Sequence, residues 1–151
     1  MAEIQREYIV GTVRPTNRPE AGQEIDLDEK IPAKIKLITR TMEKINQAVK
    51  RYYEDAGFEV AGIAGLEVKK PVDQVKLPDY ASYKVARTLF QQNPSVDAIL
   101  IQGRWRSVAC VEELEKDSER PVVSSTAACL WWVLQRLAMR ISIEGYGQLL
   151  R

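Results

Sequence analysis

The loop after the apolar run VDAILI carries the side chains best suited to chemistry. Residues 102–106 read QGRWR, and Cys110 follows a few positions later. An arginine such as Arg104 can hold a carboxylate through two parallel hydrogen bonds, and Gly103 allows a ligand to approach the backbone closely. The loop therefore predicts a site for a small anion, with Gln102, Gly103 and Arg104 as candidate binding residues.

Cys110 is a candidate nucleophile near this loop, because thiols close to helix N-termini ionise readily. The helical spacing favours a different role. Val108, Val111 and Leu114 mark the buried face of the next predicted helix, and the cysteine borders that face. A free cysteine in such a position is more often a small core residue. The second cysteine, Cys129, lies in the apolar run AACLWWVL and is expected in the core or in an interface.

Histidine is absent from the chain. This removes the most common general base and the most common neutral metal ligand. Ser-His or Cys-His catalysis and a histidine-based zinc site are therefore excluded within one chain. The sequence assigns no catalytic residue, no metal and no cofactor.

Length and charge describe an ordinary globular protein. The 151 residues suffice for one hydrophobic core, and 22 basic against 21 acidic residues leave a net charge of +1. Such a balance gives no basic surface for nucleic acid and no attraction to an anionic membrane. The apolar runs are shorter than a membrane span, the chain start lacks a secretory signal, and two cysteines make no disulfide framework. We predict a cytoplasmic protein without nucleic-acid or membrane partners.

Strand and helix patterns alternate from residue 34 onward. Strands are predicted at 34–39, 58–66, 96–101 and 121–125, and helices at 41–56, 79–92, 108–118 and 127–138. The first helix has the clearest apolar stripe, formed by Met42, Ile45, Val49, Tyr52 and Ala56. This alternation is typical of a parallel sheet with helices on both faces. We predict an α/β three-layer sandwich with a four-stranded, flavodoxin-like parallel sheet over residues 34–151, preceded over residues 1–33 by an extra N-terminal strand and a loop.

Parallel strands open their carboxyl ends onto one edge of the sheet, where such folds bind ligands. That edge would collect Thr39 and Arg40, residues 102–106, and residues 124–126. Ser125 and Thr126 precede a predicted helix, where hydroxyls and free N–H groups bind anions well. Alternatively, one of these two hydroxyls simply caps the helix and the arginines are solvated. The sequence leaves both interpretations open.

The sequence blocks from YYEDAGFEV to the closing GYGQLL, including VDAILIQGRWRS and RPVVSSTAACLWWVLQRL, resemble the aspartate/glutamate/hydantoin racemase superfamily. The resemblance is nearest to the branch of arylmalonate decarboxylase and maleate cis-trans isomerase. It covers residues 34–150, and YIVGTVRPTNRP is similar to the first strand and loop of these proteins. It implies two α/β halves with an active site between them and a cysteine that acts next to a carboxylate, without a cofactor.

This sequence departs from that pattern in two places. Only residues 20–34 stand where the family has most of its first half, and Gln102-Gly103 occupy the place of the second half's cysteine. The resemblance also matches Cys110 to a core aliphatic position. It implies that Thr16 and Asn17 form a carboxylate-binding loop. It further implies that a second carboxylate is bound by three adjacent residues, Ser124, Ser125 and Thr126.

Two functions follow as hypotheses. The first is a shortened isomerase, racemase or decarboxylase that binds a small carboxylic acid without a cofactor. The second is a non-catalytic ligand-binding or assembly module that dimerises through the surface which the missing half would cover. For that homodimer the apolar surface is expected at Trp131, Trp132, Leu149 and Leu150.

Overall fold

The computed structural model describes residues 34–39, 43–68, 70–103 and 106–151. Its strands and helices alternate along the chain as the sequence predicts. The elements in chain order are β1 (Lys34–Thr39), α1 (Glu43–Asp55), β2 (Glu59–Gly65), α2 (Ala81–Gln92), β3 (Ala98–Gln102), α3 (Val111–Ser118), β4 (Val122–Ser124) and α4 (Ser125–Arg136). Short 3₁₀ turns occupy Pro71–Lys76, Ser107–Cys110 and Gln148–Leu150.

The four strands form one parallel sheet in the order β2-β1-β3-β4. Thr39, the last residue of β1, lies opposite Gln102, the last residue of β3. Ile101 in turn lies opposite Ser124 at the end of β4. The predicted α/β class and four-stranded parallel sheet are therefore confirmed. The extra strand near the N-terminus lies outside the described residues, and the division at residue 33 stays a prediction.

Helices cover both faces of the sheet. On one face α1 and α4 enclose an apolar cluster that includes Leu37, Leu100 and Trp131. On the other face α2 and α3 enclose a second cluster that includes Ile38, Ile101 and Leu114. Successive strand residues point to opposite faces, so each central strand supplies both clusters. This arrangement leaves the ends of the strands as the place where polar side chains can gather.

The apolar stripe predicted for α1 is confirmed at Val49 and Ala56, which pack against the first cluster, and wrong at Ile45 and Tyr52. Ile45 and Tyr52 are 48% and 46% exposed, whereas Asn46 and Tyr53 are buried. Neighbouring helix positions differ by about 100° around the axis, so burying Asn46 and Tyr53 in place of Ile45 and Tyr52 shifts the buried face while Val49 and Ala56 stay on it. Tyr53 packs edge-on to Phe58 with ring centroids 6.1 Å apart. That aromatic contact, together with the burial of Asn46, fixes the observed register.

The start of α2 also differs from the prediction. The helix begins at Ala81 with Tyr80 at its N-cap, and no side chain caps it there. Asp79, at the start of the predicted helix, lies before the observed one and forms an ion pair with Arg106. Its carboxylate therefore links two loops and does not cap a helix.

The C-terminal segment folds back onto α3. The carboxylate of Glu115 accepts hydrogen bonds from the backbone N–H groups of Val122, at 3.0 Å, and Gln148, at 2.8 Å. Gly147 has a φ of +90°, and a Cβ there would lie 2.4 Å from Cγ1 of Val111. Only glycine fits such a position without strain. Burial raises the pKa of the Glu115 carboxyl above its usual value, although the two N–H groups oppose this shift.

This folding back overturns the expected site of exposed apolar surface. Trp131, Leu149 and Leu150 are buried in the core of the chain itself, and Trp132 packs partly against the same cluster. The prediction of an exposed apolar surface at these residues is therefore wrong. They are covered because the last 3₁₀ turn lies against α4.

Lys36 is a buried charge on the central strand β1. Its Nζ donates a hydrogen bond to the carbonyl of Leu89, in the last turn of α2. Burial lowers the pKa of this lysine from its usual value. A cation near a helix C-terminus is favourable, because unpaired carbonyls gather there. The side chain therefore fastens α2 to the sheet.

Within the residues that the structure describes, no helix is long and apolar enough to cross a membrane. The cytoplasmic location stays a prediction.

Candidate functional site

Thr39 and Gln102 lie side by side at the carboxyl edge, which we define as the ends of β1, β3 and β4. Strand alternation turns both side chains toward the face covered by α1 and α4. The hydroxyl of Thr39 donates to Oδ1 of Asn46 at 2.5 Å, and both residues are almost fully buried. The first turns of α1 and α4 begin at this edge. The edge therefore combines buried neutral polar groups with helix N-termini, which favour anions.

Asn46 is a member of this edge that the sequence analysis missed. A stripe through Asn46, Val49, Tyr53 and Ala56 also has helical spacing, but it begins with a polar residue. The stripe that begins with Ile45 is more apolar, so the sequence pattern favours it. The sequence signal for the observed register is Asn46 itself, a polar residue at the start of α1 that can pair with Thr39.

The β3 loop, residues 102–107, holds two buried polar atoms that lack a hydrogen-bond partner within the described part of the chain. They are Oε1 of Gln102 and Oγ of Ser107. Ser107 is fully buried, whereas Gln102 is half-buried, so part of its side chain stays accessible. An unpaired buried polar group costs roughly 1–3 kcal/mol, and native proteins contain few of them. Two in one loop at a strand end indicate that a partner belongs there.

The β4 loop, residues 124–126, uses its hydroxyls differently. Oγ of Ser124 accepts a hydrogen bond from the N–H of Ala127 at 3.2 Å and so caps α4. The cap therefore lies one residue before the two candidates. Oγ of Ser125 makes a long contact of 3.5 Å to the carbonyl of Ile101, and Thr126 is exposed. The predicted candidates of this loop do lie at the edge, but the hydroxyl of Ser124 is already engaged.

An ion pair ties two loops of this edge together. Nε of Arg106 lies 3.2 Å from Oδ1 of Asp79, which joins the β3 loop to the connection between β2 and α2. Both side chains are largely solvent-exposed, so the pair contributes roughly 1 kcal/mol at most. The pair orients the arginine rather than fixing the loop.

Cys110 is a core residue, as the helical spacing predicts. It is buried in the second apolar cluster, and its Sγ contacts the carbonyl of Ser107 at 3.2 Å. Burial raises the pKa of the thiol to about 11. The thiol is therefore protonated at neutral pH and does not act as a nucleophile at this edge. Cys129 is half-buried on α4.

The structure thus brings Gln102, Gly103 and residues 124–126 to one edge of the sheet. Three other predicted binding residues lie outside the described residues: Thr16, Asn17 and Arg104. The described side chains at the edge are amides and hydroxyls. Such groups can bind a small acid and can stabilise negative charge that develops on it.

The parallel α/β fold of this chain is shared with known enzymes. A family model described as arylmalonate decarboxylase matches residues 27–150, and the chain belongs to that family. The maleate isomerase of Nocardia farcinica (strain IFM 10152) is 28% identical over 120 residues, which cover 78% of this chain and 47% of that protein.

Solved structures agree with this membership at the level of the fold. Nocardia farcinica maleate cis-trans isomerase bound to TRIS has a TM-score of 0.76 at 22% identity, covering 99% of this chain and 53% of that one. Arylmalonate decarboxylase has a TM-score of 0.69 at 22% identity, covering 78% and 53%. A maleate isomerase variant from Pseudomonas putida S16 with maleate has a TM-score of 0.72 at 19% identity, covering 99% and 52%. The chain spans about half the length of these relatives.

Proposed function

We propose that the chain binds a small carboxylic acid at its carboxyl edge and serves in a racemase-like isomerase or decarboxylase that needs no cofactor. The observation that carries the proposal is the pair of unpaired buried polar atoms in the β3 loop, on Gln102 and Ser107. Membership of the arylmalonate decarboxylase family supports it. One solved relative holds maleate, and another holds a covalently bound succinylcysteine intermediate.

The acid's negative charge would be held by the helix starts at the edge. The first N–H groups of α4 have no partner within the helix, and Ser124 satisfies that of Ala127. The N–H group and the exposed hydroxyl of Thr126 can bind a carboxylate. Arg104 of the β3 loop, and Thr16 and Asn17 by resemblance, are the further candidates. Together they would hold the acid against Gln102 and Gly103.

The described part of this edge is suited to binding and charge stabilisation rather than to proton transfer. Racemisation and decarboxylation next to a carboxylate both build enolate-like charge, which amide and hydroxyl donors stabilise. Proton transfer needs a base with a pKa near the working pH, and Cys110 does not supply it. We therefore assign Gln102 and the start of α4 to holding the acid, and we assign no base.

Isothermal titration calorimetry with maleate, succinate and malonate tests the binding proposal. At least one of these acids should bind with a Kd in the micromolar to low millimolar range, and Gln102→Leu should weaken it at least about fivefold, the loss of roughly one hydrogen bond. Gln91→Leu is the matched control, since Gln91 is exposed on the last turn of α2. No binding of any acid, or equal effects of both variants, would refute the proposal.

A deuterium-exchange assay then separates an enzyme from a binding module. The protein is incubated in D₂O with aspartate, glutamate, hydantoins and maleate-type acids, and α-carbon exchange is followed by NMR. Exchange above the rate without protein supports the isomerase or racemase function. Binding without any exchange assigns the chain to ligand binding.

An assembly module remains the second candidate, because α4 is apolar on its outer side as well. Leu130, Val133 and Leu137 are 41%, 50% and 62% exposed and lie on one stripe opposite the buried face. A helix that is apolar all round is normally covered. A homodimer through this stripe would cover it.

Analytical ultracentrifugation tests that candidate. A dimer at micromolar concentration that Val133→Glu converts to a monomer is the expected result. Val75→Glu is the control, since Val75 is highly exposed in the Pro71–Lys76 turn, away from α4. A wild-type protein that stays monomeric at these concentrations would rule the homodimer out.

A further inference from the structure

The unpaired side-chain oxygen Oε1 of Gln102 restricts which chemical group a ligand can place against it. We infer that the acid bound at the carboxyl edge is a hydroxy acid, and that Gln102 selects it by accepting a hydrogen bond from the hydroxyl group. The inference rests on the proposed binding of a carboxylic acid at this edge. It adds a requirement which that proposal does not contain, namely a neutral donor on the ligand.

A carboxylate group cannot pair with the side-chain oxygen of Gln102. An ionised carboxylate has only acceptor atoms, and the amide oxygen Oε1 is also an acceptor. A carboxylate placed against Oε1 would leave that atom unpaired and add repulsion between two oxygens. The buried Oε1 of Gln102 therefore calls for a ligand group with a donor hydrogen. A simple dicarboxylate that is fully ionised does not provide one.

Ser107 makes a hydroxyl group the fitting donor. Its own unpaired Oγ, on the same loop as Gln102, can donate one hydrogen bond and accept others. A ligand hydroxyl has the same versatility, since it can donate to Oε1 while it accepts from a serine. A hydroxyl group on the ligand is thus able to pair with either atom. An ether or a ketone, which only accept, would leave Oε1 unpaired.

The charges at the edge favour a neutral donor over an ammonium group. The described side chains of Thr39, Asn46, Gln102 and Ser107 at this edge are uncharged. The carboxylate of Asp79, on the neighbouring connection, is paired with Arg106. An ammonium group buried against neutral oxygens alone would lose its hydration without gaining a counter-charge. A hydroxyl group is neutral and needs no counter-charge.

The accessibility of Gln102 fits a role in selection. Part of the Gln102 side chain is exposed at the open end of the sheet, although Oε1 itself is buried. Its backbone is fixed in β3 by pairing with Thr39. A polar group held on a regular strand discriminates strongly, because it cannot turn away when the ligand lacks the matching hydrogen.

Calorimetric titration with malate and succinate, which differ by one hydroxyl group, tests the inference. Malate should bind at least about tenfold more tightly than succinate, the discrimination expected from one buried hydrogen bond. Gln102→Leu should remove this preference by weakening malate about tenfold more than succinate, because the variant loses the acceptor Oε1 as well as the amide donor Nε2. Gln91→Leu should change neither acid. Ser107→Ala is the second variant, and it should remove part of the preference for malate. Circular dichroism melting of each variant shows whether it is folded.

The outcomes separate this inference from the proposed function. Equal binding of malate and succinate would overturn the hydroxy-acid inference and leave carboxylate binding intact. Tighter binding of aspartate than of malate would overturn it in favour of an ammonium donor. Failure of all three acids to bind would refute both. A preference for malate that survives both Gln102→Leu and Ser107→Ala would place the selecting group elsewhere.

Discussion

The β3 loop and the β4 loop lie at the same edge of the sheet and have similar polar residues, yet they use them differently. In the β4 loop α4 begins directly after the strand, and the hydroxyl of Ser124 is used to cap it. After β3 no α-helix begins until Val111. The buried polar atoms of Gln102 and Ser107 therefore do not cap an α-helix, and they lack a hydrogen-bond partner in the described part of the chain. Similar residues therefore build a helix start in one loop and a candidate ligand site in the other.

The largest expected effect concerns how firmly the β4 side of the domain is held. Glu115→Ala removes the acceptor for the buried N–H group of Val122 and the partly buried N–H group of Gln148. Each unsatisfied group costs roughly 1–3 kcal/mol, so the free energy of unfolding should fall by about 3 kcal/mol. Urea denaturation measures this. A loss below about 1 kcal/mol would show that the carboxylate does not fasten this region.

The same carboxyl predicts a pH dependence. Because burial raises the pKa of Glu115 in the folded state, the folded protein binds its proton more tightly than the unfolded chain does. The contribution to stability is therefore full below the usual glutamate pKa and is lost as pH rises through the raised folded pKa. Wild type compared with Glu115→Gln by urea denaturation should lose relative stability across that interval. A relative gain with rising pH would contradict the assignment.

The second effect concerns Cys110, which lies just beyond the β3 loop but belongs to the core. With a pKa of about 11 instead of 9.0, its thiolate fraction at neutral pH is about 100-fold below that of an ordinary thiol. Alkylation by iodoacetamide, followed by mass spectrometry of the Cys129→Ser variant, should be slower than in the urea-unfolded variant by at least that factor. Similar rates in both states would place Cys110 in the site after all.

The third effect concerns the stability contributions of two serines, Ser124 and Ser107. Ser124→Ala removes the cap of α4 and should lower the free energy of unfolding by about 1 kcal/mol. Ser107→Ala removes a buried hydroxyl that has no partner in the described part of the chain, so stability should stay equal or rise by a few tenths of a kcal/mol. Denaturation of both variants without ligand gives the comparison. The reverse order would contradict the different uses of the two loops.

Local patterns predicted the sheet and the location of the edge. Alternating strand and helix signals are read within ten to fifteen residues, and they place the residues of β1, β3 and β4 correctly. The register of α1 was missed because Ile45 and Asn46 both begin helical stripes, and only the contact of Asn46 with Thr39 decides between them. The roles of Glu115 and Gly147 were missed because their contacts join distant parts of the chain.

A local sequence pattern also could not predict which hydroxyl groups form hydrogen bonds. Whether Ser124 or Ser125 caps α4 depends on where the strand ends, and strand ends are set by the neighbouring strand. The unpaired atoms of Gln102 and Ser107 appear only when burial is known. Residue types in the two loops thus predicted where to look for a site, and the three-dimensional structure distinguished the two loops.

The most direct test of the site is a titration of the ¹⁵N-labelled protein with malate, followed by two-dimensional NMR. The account predicts saturable shifts of the side-chain amide of Gln102 and of the backbone N–H of Gly103 and Ser107. The N–H of Ala127, which Ser124 already holds, and the side-chain amide of Gln91 should stay in place. Saturable shifts that leave Gln102 and its loop unmoved, or no shifts at all, would contradict it.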